Sequence, residues 1–494
     1  MTCLDRLSAR WTADDSGGVA IPLALSLPVI AAAAMLVVDG GRLFNLQTSV
    51  QAGADALALA AAAELDAKPD AIVRANRAID RLVRNDARFA SGGAALQASG
   101  VRYLKSLPSS DAQAIASASE TTDPALAAYV EVRTAPVGFG SLFAKAAGAT
   151  GFPTQVSATA VGGFDSVACN VTPLFMCNPF EGSALPLQAA ARDPSFRRRL
   201  IAMKAKGSQY GAGNYGYLQP AYGNGGAAVK ESLALDKPKG CYRQSGVELQ
   251  TGNISSTAEA INVRFDMYAG GFSGNRGDPA YRPAQNVRKG YTGSSCGASP
   301  AYDPSLPPTD PANLGKPLGL PRDPCFYGGA TCTFGGAATA GRIGGGDWDF
   351  EAYWTRSFGG GFPNGWSNAN RPSRYEVYRY EIENGLTTRS TAGASGAGEK
   401  GAPACYTGGA STLTDDPDRR LFVGAIIDCQ AAAAAGQLTG SSGGVIPVTG
   451  YARFFLTEPM DKNDGTIWAE MVELLEPGTP GARNVIRDTV QLYR

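Results

Sequence analysis

The segment Gly17–Val38, GGVAIPLALSLPVIAAAAMLVV, runs 22 residues without a charge, with Asp14 and Asp15 ahead of it and Asp39 and Arg42 behind. At about 1.5 Å per residue a helix of that length reaches roughly 33 Å, enough to cross a hydrocarbon core of about 30 Å. Pro22 falls in the first turns, and Pro28 inside the run is tolerated where neighbouring groups re-satisfy the freed carbonyls. The run therefore predicts a transmembrane helix. A cleaved signal peptide is the competing reading, because Arg6 and Arg10 precede the run and Ala31–Ala34 offers small residues to a peptidase. The run exceeds the 7–15 residues of a signal core, and the helical pattern continues past Val38, which favours retention.

After Asp39, apolar residues recur at steps of three and four: Leu43, Leu46, Val50, Ala54, Leu57, Ala61 and Leu65. This is one stripe of a helix that continues from the membrane. Its other faces carry alanines with Gln47, Gln51, Asp55 and Glu64, a smooth surface suited to close helix contact; packing within the chain is the preferred reading of the stripe over partner binding. A second helix is expected over Asp70–Phe89, with Ile72, Ile79, Leu82 and Val83 on one face and Arg74, Arg77, Asp80 and Arg84 on another.

Strand-type runs follow in LQASGVRYL, AAYVEVRTA and TQVSATAVGG between Leu96 and Gly163, with GFGSLFAKAAG as a short amphipathic helical turn between the last two. Val167–Glu181 reads as a disulfide-closed junction. PLQAAARDPSFRRRLIAMKAK then reads as a helix interrupted at Pro194. Glycine, proline and tyrosine dominate Gly207–Gly346, and strands return in RYEVYRYEI (374–382), YARFFLT (451–457), IWAEMVELL (467–475) and the terminal DTVQLYR. The fold class is α+β: a transmembrane helix continuing into a helical stalk, then a loop-rich, disulfide-braced, mainly β extracytoplasmic body.

Composition sharpens this picture. Lys+Arg and Asp+Glu both number 44, so no global field favours nucleic acid. There is no histidine, which removes the usual general base, the Ser-His-Asp and Cys-His nucleophile systems and the commonest zinc ligand. Cys3 precedes the span while Cys169, Cys177, Cys241, Cys296, Cys325, Cys332, Cys405 and Cys429 follow it. No CxxC pair supports zinc, so the even set of eight suggests four disulfides in an oxidising compartment; eight cysteines allow 105 pairings, which leaves connectivity open.

Candidate chemistry elsewhere is weak. Gly211, Gly213 and Gly216 satisfy GxGxxG but lack a preceding strand and a following helix, and Arg276-Gly277-Asp278 reads as coincidence. Asp347, Asp349 and Glu351 in GGGDWDFEAYW would share one face of a strand, where carboxylates could bind calcium or flank a glycosidic bond beside Trp348, Phe350, Tyr353 and Trp354. A strand with one polar and one apolar face is the preferred reading.

The N-terminal order DDSGGVAIPLALSLPVIAAAAMLVVDGGRLFNLQTSVQAGADALALAAAAELD resembles the N-terminal module of TadG-like and TadE-like proteins of Flp (Tad) pilus assembly. The residues that carry the resemblance are Pro28, Asp39, Gly41, Arg42, Gln51, Ala52, Ala54, Asp55 and Ala56, within about the first 65 positions. It implies an inner-membrane pilus-biogenesis protein with a pilin-like N-terminal helix and a periplasmic body; it does not imply an enzyme. Two departures stand out: Gly18 is followed by Val19, Ala20, Ile21 and Pro22 without the glutamate of processed pseudopilins, and no Asp-x-Ser-x-Ser metal motif occurs.

The expected plan is a cytoplasmic tail (1–16), a transmembrane helix (17–38), a helical stalk (39–90), a small pilin-like α+β unit (91–165) and a Gly/Pro-rich disulfide-braced region (166–494). The expected function is a single-pass component of Tad pilus assembly that binds pilus assembly proteins or pilin-like subunits, with no cofactor, nucleic acid or small-molecule substrate. A glycan-binding extracytoplasmic adhesin and a carboxylate-dependent extracytoplasmic hydrolase are the alternatives.

Overall fold

The structure is a computed structural model. It describes residues 20–66, 68–82, 96–108, 110, 112–124, 126–143, 154–181, 186–205, 210–243, 246–250, 254, 256–292, 296, 299–328, 332–334, 337–338, 341–387, 401–414, 416, 418–438, 445–476, 481–482 and 485–493. The expected cytoplasmic tail with Cys3, the end of the expected second helix at Phe89 and most of the turn after Phe143 lie outside these residues. The fold is α+β, and the chain forms two compact units, Met1–Asp165 with Asp488–Arg494, and Ser166–Arg487. The last seven residues thus fall with the first unit, whereas the sequence plan kept them in the C-terminal region.

In the first unit, helix α1 (Ala20–Ala34) passes through a π-helical turn, Met35–Asp39, into helix α2 (Gly40–Ala62). Pro28 lies inside α1, and Leu23, Leu25, Leu27, Val29 and Ile30 are all exposed, so among the described residues this apolar face is not covered. Pro22–Ala62 is long and apolar enough to cross a membrane.

Helix α2 packs its stripe inward. Leu46, Val50, Ala54, Leu57, Ala58, Ala61 and Ala62 are buried with Val130, Val132 and Ala160 of a sheet in the order β1 (Ala98–Leu104), β2 (Tyr129–Thr134), β3 (Thr159–Cys169), β10 (Ile486–Leu492). The small residues decide how near the layers come. A Cβ on Gly162 would meet the Ala58 carbonyl oxygen at 2.5 Å, so the strand rests on helix backbone. Helix α3 (Ala71–Arg81) turns back along α2 through a cluster in which Arg74 pairs with Glu64 at 2.6 Å, Asp66 at 2.5 Å and Asp70 at 3.2 Å.

The second unit is built on a closed six-stranded barrel: β7 (Leu421–Ile427), β8 (Val448–Leu456), β9 (Ile467–Leu475), β5 (Leu200–Ala205), β6 (Asn214–Tyr217) and β4 (Leu174–Cys177), with β4 parallel to β7. Leu421–Ile427 reads as an unbroken apolar run because both faces are covered. Phe422 and Ile426 pack with Phe454 and Met176, while Val423, Ala425 and Ile427 pack with Phe175 and Cys177. Four cysteine pairs lie at bonding distance: Cys169–Cys241, Cys177–Cys429, Cys296–Cys405 and Cys325–Cys332.

Three expectations are corrected here. RYEVYRYEI is not a strand but lies in helix α5 (Arg374–Glu383), because Ser373 and Glu376 form a reciprocal capping box and the buried residues Arg374, Val377, Tyr378 and Glu381 follow helical spacing. The GDWDFEAYW segment enters helix α4 (Phe350–Phe358), with the Asp349 carboxylate accepting the Ala352 N–H at its start. The long helix expected around Pro194 stops at Arg192, and Leu200–Ala205 becomes a barrel strand facing β9, with Ile201 and Met203 buried.

Candidate functional site

The family-type residues cluster where the apolar helix ends. Asp39 closes the π-helical turn and is fully buried. Its two carboxylate oxygens accept the backbone N–H groups of Leu142 at 2.9 Å and Phe143 at 2.8 Å. One turn on, Arg42 Nη1 donates to the Gly140 carbonyl at 3.1 Å, lies 4.0 Å from Asp39 and sits over the Phe139 ring at 5.8 Å. Asp39 and Arg42 therefore hold residues 139–143 against the helix through charge-assisted hydrogen bonds, the stronger kind. That segment follows Val137–Gly138, which pairs antiparallel with Gln155–Val156. A carboxylate at the end of an apolar helix needs such partners, since a buried charge without hydrogen bonds is strongly disfavoured.

Farther along α2, Gln51 donates to Asp55 at 2.8 Å and to the Thr159 carbonyl at 3.4 Å, tying the helix to the start of β3. Ala54 is buried between them in the chain. Gly41 is exposed, and a Cβ there would meet nothing within 4 Å. Pro28 stands apart in α1. Asp39 with Arg42, and Gln51 with Asp55, thus form two separate contacts of one helix with its own unit.

The other candidates resolve into structural parts. Asp349 caps α4 and also accepts from Asn368 Nδ2 at 2.9 Å, while Glu351 accepts the Asn368 N–H at 2.8 Å. Trp348, Phe350, Tyr353 and Trp354 are buried together in one cluster, so they present no open platform to a sugar. Gly216 lies in β6, where a Cβ would meet the Phe175 ring at 2.6 Å; Gly213 needs its positive φ of 72°. Asp278 caps the turn Pro279–Tyr281. Among the described residues no group of three or more acidic or cysteine side chains is placed to hold a metal ion.

Two arrangements escaped the sequence reading. Arg374, fully buried, bridges Asp323 at 2.6 Å and Glu470 at 2.7 Å and stacks 4.9 Å from the Trp348 ring. Burial pushes the Glu470 carboxyl up, against the pull of Arg374. A small cavity of about 10 Å³ is lined by Lys289, Asn286, Glu381, Tyr353 and Arg420, room for about one water molecule. Burial also raises the Glu381 carboxyl, opposed by Lys289 and by hydrogen bonds from Tyr353 and Asn286. Each joins residues dozens of positions apart, some more than a hundred, and no local spacing marks them.

No curated protein and no solved structure matches this chain. Residues 17–64, the apolar run together with α2 and the Asp39–Arg42 turn, match the family model described as putative Flp pilus-assembly TadE/G-like, so the chain carries a Tad module.

Proposed function

We propose that this protein is a membrane-anchored component of Flp (Tad) type pilus assembly that acts by protein–protein interaction and not by catalysis. The observation that carries the reading is the coincidence of the Tad match at 17–64 with a continuous helix whose first half is apolar and uncovered and whose second half belongs to a packed unit. The α2 stripe is occupied by its own sheet, which favours partners on α1 and on the outward face of α2, where Phe44, Gln47 and Thr48 are exposed. The partners are pilin-like subunits or other assembly proteins.

The proposed placement is the bacterial inner membrane, with the bulk of the chain in the periplasm. Four cysteine pairs at bonding distance support that side, because such bonds persist in oxidising compartments. The test is a chromosomal deletion of residues 17–67 that keeps the rest of the chain in frame. Loss of surface pili is expected; unchanged piliation would contradict the reading.

A further inference from the structure

Leu142 and Phe143, whose N–H groups sit on the Asp39 carboxylate, leave their own side chains 58% and 40% exposed. Val37 and Val38 on one side of Asp39 and Phe44 on the other are likewise exposed, at 70%, 39% and 74%. Five large apolar side chains are therefore exposed near the level where the uncharged run ends, two of them on the segment bound to Asp39. The hydrogen bonds to Asp39 and Arg42 fix the height of residues 140–143 along the helix axis, so this segment must lie wherever the end of the span lies. Exposed apolar side chains at the level where a span leaves the bilayer meet the same boundary as the span itself.

We propose that the segment Phe139–Phe143 is a second membrane contact, in which Leu142 and Phe143 insert at the boundary between headgroups and acyl chains beside the exit of the span. The occupant is the bilayer itself. The contact rests on the reading of Gly17–Val38 as membrane-embedded. It gives the Asp39–Arg42 pair a defined role, in which Asp39 takes up the two N–H groups that an apolar loop would otherwise carry unpaired toward lipid, and Arg42 takes the Gly140 carbonyl at headgroup level. The helix is thereby held at one angle and height, because two points on the unit meet the same surface.

The test uses the full chain in phosphatidylcholine vesicles with Cys3→Ser, so that a single introduced thiol carries a nitroxide label while the eight paired cysteines stay oxidised. Labels are placed at Leu142→Cys, Phe143→Cys, Leu25→Cys in the span and Val73→Cys on α3. Val73 is exposed and serves as the aqueous reference, since neighbouring Arg74 pairs with Glu64, 25 positions and roughly 37 Å of helix beyond Asp39. Collision with oxygen relative to a water-soluble nickel chelate is expected to be several-fold higher at 142 and 143 than at 73, and highest at 25. If 142 and 143 match 73 while 25 reads as lipid, the span stands and the second contact is overturned. If 25 also reads as water, the spanning reading falls and takes this contact with it.

Discussion

Asp39 and Phe143 are 104 positions apart, yet the carboxylate of one accepts the backbone N–H of the other at 2.8 Å, with the Leu142 N–H on the second oxygen at 2.9 Å. The acid at the end of the apolar run is therefore a structural clasp as well as the polar boundary of the apolar helix. Asp39→Asn keeps the shape but offers one acceptor where two are used, and turns an amide toward the second N–H. A buried donor left unpaired costs about 1–3 kcal/mol. The expected outcome is a lower unfolding temperature in detergent and faster proteolysis between residues 135 and 155; wild-type values for both would sink the clasp.

Two glycines of the first unit should respond in opposite ways. A Cβ on Gly162 would stand 2.5 Å from the Ala58 oxygen and 2.8 Å from its carbonyl carbon, backbone atoms that cannot swing aside. Gly162→Ala must push strand from helix, and an overpacked site of this kind costs typically about 1–3 kcal/mol. Gly41→Ala meets nothing within 4 Å, and in a helix interior alanine is favoured over glycine by roughly 0.5–1 kcal/mol. Thermal unfolding of the two variants should bracket the wild type. A Gly41→Ala chain that is stable yet fails to support piliation would place the need for glycine in a partner contact.

Much of the first unit was legible because its signals are local. The uncharged run, the stripe from Leu46 to Ala61 and the alternation in Tyr129–Thr134 each report one element through its own period. The strand Ile467–Leu475 was read to its ends for the same reason. Arg374–Glu383 misled, because tyrosine and valine favour strands while the deciding feature was a cap of two residues, Ser373 and Glu376. Asp39's partners could not be foreseen, since they are backbone groups at Leu142 and Phe143 whose identity leaves no mark in composition. The carboxylates at 347, 349 and 351 looked like a site because spacing was legible and burial of their aromatic neighbours was not.

Arg374 supplies the clearest stability test of the second unit. Its guanidinium joins Asp323 and Glu470, all three without solvent exposure, and also donates to the Pro321 carbonyl at 2.8 Å. Arg374→Met fills similar space but strands two carboxylates, and breaking a buried pair in this way costs about 3–5 kcal/mol. Adding Asp323→Asn and Glu470→Gln should return part of that loss, since neutral amides no longer need the cation. Denaturant midpoints for wild type, single and triple variants measure it; a triple variant no more stable than the single one would show that the stranded carboxylates cost nothing.

Cys177 and Cys429 lie 252 positions apart and tie the edge of β4 to the helix that follows β7. A cross-link over so long a loop restricts the unfolded chain most, and loss of a native disulfide typically costs about 2–5 kcal/mol. Cys177→Ser with Cys429→Ser should therefore unfold at lower temperature than the corresponding pair of changes at Cys325 and Cys332, which close only 7 positions. Equal losses for both pairs would rule out the loop-length account.

Acid should strengthen the second unit. Burial holds the Glu470 carboxyl up to about 7 from an ordinary value of 4.5, with Arg374 and the backbone N–H groups of Arg374 and Tyr375 pulling the other way. The physical reason is desolvation: with no solvent exposure the charged carboxylate loses more hydration than Arg374 and the two N–H groups return. A carboxyl raised in the folded chain keeps its proton where the unfolded chain has lost it. Over that interval the folded state binds more protons, so stability falls as pH rises from about 4.5 to about 7 and levels off above. Burial raises Glu381, Asp418 and Glu458 as well, so Glu470→Gln should leave the slope negative but shallower. Denaturant midpoints of wild type and Glu470→Gln at intervals from pH 4.5 to 7.5 give the comparison. A wild-type curve that rises with pH through this window, or a variant curve parallel to it, would show that Glu470 stays ionised beside Arg374 throughout.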